Sequence, residues 1–190
     1  MVILKFHFDG QGVGSIAIKD EFLDLGKMLN LGCGQRVLPG FVNLDYINFE
    51  GVDVVHDFEK EDLPFPDDHF SFIFIKSVLE HVPHRVPRVD GDFMYHLIND
   101  LIRISKDGAI WDTLHPCHPL ALQATDHPRI IGPATFDPWT RKFSSLEATT
   151  LPNARMEMIS KKNLRRWVPN SSIGRTFAHR MTFKIHKLGD

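Results

Sequence analysis

The chain has 190 residues, enough to bury roughly 70% of its unfolded surface in one core, and its 43% apolar and 24% charged content excludes a mainly disordered protein. Its 22 basic and 24 acidic residues leave a formal charge of −2, so no global field draws it to nucleic acid or to an anionic membrane. Two cysteines far apart, Cys33 and Cys117, exclude a disulfide scaffold and suit a reducing cytoplasm.

In chain order, Val2 to Phe8 and Val13 to Lys19 read as short strands, and the Asp9-Gly10-Gln11-Gly12 stretch between them supplies turn chemistry. An amino-terminal β-hairpin is expected. The opening MVILKFHFDG carries a charge inside its apolar stretch and shows no cleavage pattern, so a cytoplasmic location is expected, and no segment is apolar for long enough to span a bilayer.

Four apolar runs follow, Lys27 to Leu31, Val42 to Asp45, Val52 to Val55 and Phe70 to Ile75, separated by polar or Gly/Pro stretches. Each is short, mostly unalternating and rich in Val, Ile, Leu or Phe, as strands buried on both faces of a parallel sheet are. The link from Gln35 to Phe41 is too short for a good crossover helix.

A helix is predicted from about Asp92 to Ser105, where Phe93, Leu97, Leu101 and Ile104 share one face and Asp107-Gly108 supplies the stop. A fifth strand, GAIWDTL, comes next. From His115 to Pro152 prolines, scattered histidines and weak periodicity predict a long insertion covering a ligand. Arg155 to Ser160 and Met181 to Lys187 alternate as closing antiparallel strands. Lys161, Lys162, Arg165 and Arg166 read as a solvated helical face. The pattern predicts one α/β domain over 1–190: a Rossmann-like, doubly wound, mostly parallel sheet with antiparallel closing strands, plus the amino-terminal hairpin.

The run KMLNLGCG stops at two glycines around a cysteine. A glycine turn at the carboxyl end of a first strand lets a ligand approach the backbone, and that sheet edge is where open α/β folds bind ligands. Asp45 stands at the end of the next strand, where a carboxylate can accept from both hydroxyls of a ribose, and another acid, Asp57, follows the third strand at the same sheet edge. A nicotinamide dinucleotide fingerprint wants a third glycine three positions on and an acid about twenty residues later. Here Val37 takes the glycine's place and Asp45 comes too early.

LNLGCG, VNLDY, HDFEKEDLPFPDDHFSFIFIKSVLEHV and LINDLIRISKDGAIW, in this order and spacing, resemble the class I S-adenosylmethionine-dependent methyltransferases of the type 11-like branch, over Lys27 to about Asp112. The resemblance implies S-adenosylmethionine as cofactor. It implies Asn30, Gly32, Cys33 and Gly34 at the methionine end, Asp45 with Tyr46 at the ribose, Asp57 and Phe58 at the adenine, and Lys76 and Ser77 facing the transferred methyl. Three positions depart from the family pattern: Asn30 replaces an acid before the first glycine, Arg36 stands where a third close glycine is common, and Ser71 stands where the family carries an aspartate. The segment DHPRIIGPATF is similar to a substrate-side segment of that branch, which brings in Asp126, His127 and Arg129.

His81, His115 and His118 are the candidate acids or bases, since imidazole titrates near neutral pH. The His115, Cys117, His118 and His127 set matches no well-formed zinc spacing, so no metal site is expected from it. Cys33 is expected to pack rather than react. FIKSVLEH stands where amino-directed DNA methyltransferases carry an Asn/Asp-Pro-Pro-aromatic tetrapeptide, so a nucleic-acid acceptor is not expected. The expected activity is methyl transfer to a small-molecule or glycan-like acceptor. The alternative is a non-catalytic module that binds S-adenosylmethionine as a regulatory or partner subunit.

Overall fold

The computed structural model describes residues 2–8, 12–18, 27–116, 126–140, 154–167 and 175–187. Strands β1 (Val2–Phe8) and β2 (Gly12–Ile18) pair antiparallel as a separate two-stranded sheet, with Val2 opposite Ile18. The main sheet has seven strands: β3 (Lys27–Leu31), β4 (Val42–Asp45), β5 (Val54–Val55), β6 (Phe70–Lys76), β7 (Ser105–Pro116), β8 (Ala154–Trp167) and β9 (Arg175–Lys187). Their spatial order is β5-β4-β3-β6-β7-β9-β8. Strands β3 to β7 run parallel, and β9 lies antiparallel between β7 and β8. The order reverses at β3, so the carboxyl ends of β3, β4 and β6 flank the switch point at which such sheets bind ligands.

The centre of the sheet is buried on both faces. In β6, Ile73 and Ile75 join the larger core cluster, while Phe72 and Phe74 join a smaller one with Leu38, Phe41 and Ile110. Helix α1 (Phe93–Ile104) supplies the larger cluster with Phe93, Leu97, Leu101 and Ile104, the face read from the sequence. Its start is fixed by Asp92, whose carboxylate accepts from the Met94 amide at 2.8 Å, an N-cap bond that satisfies one of the first-turn donors. Asp100, buried on the same helix, accepts from the Leu63 amide at 2.7 Å and from Arg103 Nε at 2.7 Å, tying the loop before β6 to the helix.

The connection from β3 to β4 contains no helix. Its place is taken by Asn43, 3% exposed. Asn43 Oδ1 accepts from the Leu38 amide at 2.8 Å and from Asn30 Nδ2 at 2.9 Å. Its Nδ2 donates to Leu38 O, Phe41 O and Asp53 Oδ2 at 3.0–3.2 Å. A side chain so fully bonded inside the core holds the short link in place and brings Leu38 and Phe41 onto the sheet face.

Three expectations are corrected. Helix α1 ends at Ser105 and passes directly into β7, so Asp107 and Gly108 do not stop it. They lie where the β6–β7 register jumps from Phe70 opposite Ser105 to Phe72 opposite Ile110, and Gly108 takes the left-handed backbone (φ +77°) of that bulge. Residues Lys161, Lys162, Arg165 and Arg166 lie in β8, not on a helix, because pairing along β9 carries the strand on to Trp167. His115 and Pro116 still belong to β7, not to the insertion expected to begin at His115.

Candidate functional site

Four strand ends and the loops that follow them surround one cleft of about 800 Å³, lined among others by Gly32, Gly34, Asp45, Tyr46, Asp57, Phe58, Ser77 and His81. The cleft follows from the fold: each side chain leaves the sheet at the carboxyl end of a neighbouring parallel strand, where the chain must turn away.

Both glycines after β3 adopt left-handed backbone, at φ +59° for Gly32 and +53° for Gly34. Their surroundings differ. A Cβ on Gly32 would come 2.5 Å from Val78 Cγ2, whereas a Cβ on Gly34 would meet nothing within 4 Å. Gly32 therefore admits the close packing of Val78, and Gly34 exposes bare backbone to the cleft. Ser77, at the end of β6, holds φ +54°, a conformation costly for a residue with a side chain, while its amide donates to Leu114 O at 2.9 Å.

Asp45 is 7% exposed and joins the two sides of the turn. Oδ2 accepts from the Gly34 amide at 2.7 Å and Oδ1 from the Ile47 amide at 3.0 Å. A carboxylate has about four acceptor positions, so capacity remains on Asp45 for hydroxyl donors. Asp57 caps its own loop, accepting from the Glu59 amide at 3.0 Å and pairing with Lys60 at 2.9 Å. Burial, with Asp57 beside it, raises the Glu59 carboxyl above its usual range. The Phe58 carbonyl accepts from Arg88 Nη2 at 2.7 Å, and its ring packs on Phe93.

Asn30, Cys33 and Lys76, expected at the cofactor, line a small cavity with Leu38 and Phe74 that shares Gly32 and Arg36 with the cleft. Asn30 is 3% exposed and spends its amide on Arg36 O (2.8 Å) and Asn43 (2.9 Å), a scaffold role that keeps it out of the cleft. Burial, with the Asp45 carboxylate adding to it, pushes the Cys33 thiol up to about 11, so it stays protonated and packs. Ile47, Phe49 and Val82 also line the cleft and were not singled out from the sequence; apolar residues beside strand ends carry no pattern of their own.

Of the candidate bases, His81 lines the cleft and His115 does not. His115 is completely buried in β7, its Nδ1 3.0 Å from Glu80 Oε2. His118 and Cys117 lie outside the described residues. The segment from Asp126 to Ile130 is clamped by Arg129, which donates to Val82 O (2.7 Å), to Pro83 O (2.8 Å) and to both oxygens of Asp92 (2.6 and 3.1 Å). That clamp sets Asp126 and Pro128 on the cleft wall and stacks His127 edge-on against His81, with ring centroids 4.5 Å apart.

No family model and no curated protein matches the sequence. Solved structures share its architecture. A SAM-dependent methyltransferase from Archaeoglobus fulgidus is 15% identical with a TM-score of 0.52, over 86% of this chain and 87% of that one. One from Methanosarcina mazei is 11% identical with a TM-score of 0.52, over 92% and 100%. The [4+2]-cyclase SpnF is 13% identical with a TM-score of 0.51, over 90% and 80%. The chain thus has the Rossmann-like fold of SAM-dependent methyltransferases, a fold that also carries a cyclase.

Proposed function

We propose that the protein is an S-adenosylmethionine-dependent methyltransferase acting on a small-molecule or glycan-like acceptor. The observation that carries this reading is the convergence of Gly34, Asp45, Asp57 and Ser77, from four separate strand ends, on one cleft. The residues fit the cofactor: open space over Gly34 admits its backbone approach, and Asp45 keeps acceptor capacity for the ribose hydroxyls. Asp57 and Phe58 would hold the adenine and Ser77 the methionine end. Tyr46, 68% exposed at the rim, offers a ring beside the ribose.

When bound, the cofactor supplies a methyl group carried on a sulfonium. The chain's own task is to hold donor and acceptor in line, the effect of greatest value in such a displacement. Asp45 and Asp57 bring negative charge to a cationic ligand, and the amide-anchored Asp45 holds its geometry before the ligand arrives. No helix among the described residues is long and apolar enough to cross a membrane.

The second reading is the non-catalytic binding module. The engagement of both Asp45 oxygens by backbone amides favours it, because part of the ribose contact is already spent on the scaffold. Calorimetric titration with S-adenosylmethionine and S-adenosylhomocysteine tests both. Binding by the native chain is expected, weakened by ~1–3 kcal/mol in Asp45→Ala through loss of a charge-assisted contact. Unchanged affinity in a folded Asp45→Ala variant would refute the ribose assignment. Tight binding without turnover across acceptor classes would favour the module.

A further inference from the structure

The buried Glu80–His115 pair and the nearby His127 leave Glu80 Oε1, His115 Nε2 and His127 Nδ1, all buried, without a hydrogen-bond partner among the described residues. Glu80 is completely buried, and its Oε2 is 3.0 Å from His115 Nδ1. Orphaned buried polar atoms are rare in folded proteins, and an ion is one of the ordinary ways to satisfy them. A T-shaped imidazole pair such as His81 and His127 needs no ion, but a buried carboxylate oxygen needs a donor or a cation.

One donor atom from each of Glu80, His81 and His127 lies within 4.8 Å of the other two. The hydrogen bonds identify which atoms these can be. His81 Nδ1 sits 3.0 Å from the carbonyl of Asp126, which only accepts, so Nδ1 carries the proton and Nε2 presents its lone pair. Glu80 offers Oε1, the oxygen His115 does not use, and His127 offers Nδ1. Each of two ligands therefore has an outer partner of the kind that orients metal ligands, a carbonyl behind His81 and an imidazole behind Glu80.

From this we infer that Glu80, His81 and His127 form a site for a divalent transition-metal ion of the zinc class, placed in the wall of the cleft. Two imidazoles and one carboxylate suit Zn²⁺ and leave its fourth position to water or to the molecule bound in the cleft, whereas Mg²⁺ and Ca²⁺ prefer oxygen ligands. Ligands about 2.0–2.1 Å from zinc stand well within 4.8 Å of one another, the limit inside which these three donor atoms lie. The assignment makes His81 a ligand rather than a proton carrier. It also separates His127 from the His115, Cys117 and His118 cluster suggested by sequence proximity.

The test uses the full chain, stripped with a chelator and titrated with Co²⁺ while visible absorption is followed. One equivalent of Co²⁺ is expected to bind, to be displaced by Zn²⁺ and not by excess Mg²⁺. His127→Gln and His81→Gln are each expected to lose more than the ~10-fold affinity that outer-shell changes cost at the least. Cys117→Ser and His118→Gln should bind as the native chain does. Glu80→Gln can fail to fold because it strands His115, so the two histidine variants decide. Absence of stoichiometric Co²⁺ binding, or native affinity in both histidine variants, overturns the site. The titration contains no nucleoside, so its outcome is independent of whether S-adenosylmethionine binds.

Discussion

Gly32 and Gly34 share a left-handed backbone, yet substitution should affect them unequally. Ala at Gly32 adds a Cβ 2.5 Å from Val78 to the backbone cost, for about 2–4 kcal/mol in total, whereas Ala at Gly34 costs about 1 kcal/mol from the backbone alone. Urea denaturation of the two variants checks the difference. The cofactor reading adds that Gly34→Ala weakens nucleoside binding more than its small stability loss suggests, since its Cβ enters the open space of the cleft. For Cys33, raised to about 11, alkylation at neutral pH in a Cys117→Ser background should run at least ~10-fold slower in the folded chain than in the unfolded one. Equal rates would remove the buried, protonated thiol.

At the scale of elements, Asp92 does two jobs, capping α1 through Met94 and receiving Arg129 from the segment that carries His127. Burial alone would raise its carboxyl, but the Arg129 and Met94 hydrogen bonds outweigh it and hold the group below its usual range. A carboxyl depressed in the folded state gives its full stabilisation above the ordinary carboxylate range. That stabilisation is lost as pH falls through the folded value. Asp92→Ala is expected to cost about 2–3 kcal/mol, the cap plus a partly exposed ion pair, and to flatten the acid limb of stability against pH. Thermal unfolding across an acid pH series measures both. An unchanged acid limb would assign the lost stability to other carboxylates.

The central strands and α1 were legible because their information is local: Val, Ile, Leu and Phe runs between turns, and a helical stripe of apolar residues. Only the first half of β8, Arg155 to Ser160, was read as a strand; its continuation was not, since the charges of KKNLRRW suit a helix surface and only pairing with β9 makes them a strand. Asn43 was equally silent, a polar residue in a strand whose bonds to Leu38, Phe41 and Asp53 exist only after folding. The glycines and acids of the cleft could be named from strand-end position alone. Glu80 could not be placed against His127, because β7 and the clamped segment bring them together over a long stretch of chain.

For the molecule as a whole, the sheet order β5-β4-β3-β6-β7-β9-β8 turns scattered motifs into one site by setting the ends of β3, β4, β5 and β6 side by side. The same order keeps working without a helix between β3 and β4, because Asn43 and the Leu38–Phe41 link replace one. Fold alone does not fix chemistry, so the occupant of the cleft is the quantity to measure. A crystal of the full chain soaked with S-adenosylhomocysteine does so directly. The ribose hydroxyls are expected within hydrogen-bond reach of Asp45, about 3 Å, with the adenine beside Asp57 and Phe58. A nucleoside bound elsewhere, or a cleft still vacant at saturating ligand, would contradict the proposed site.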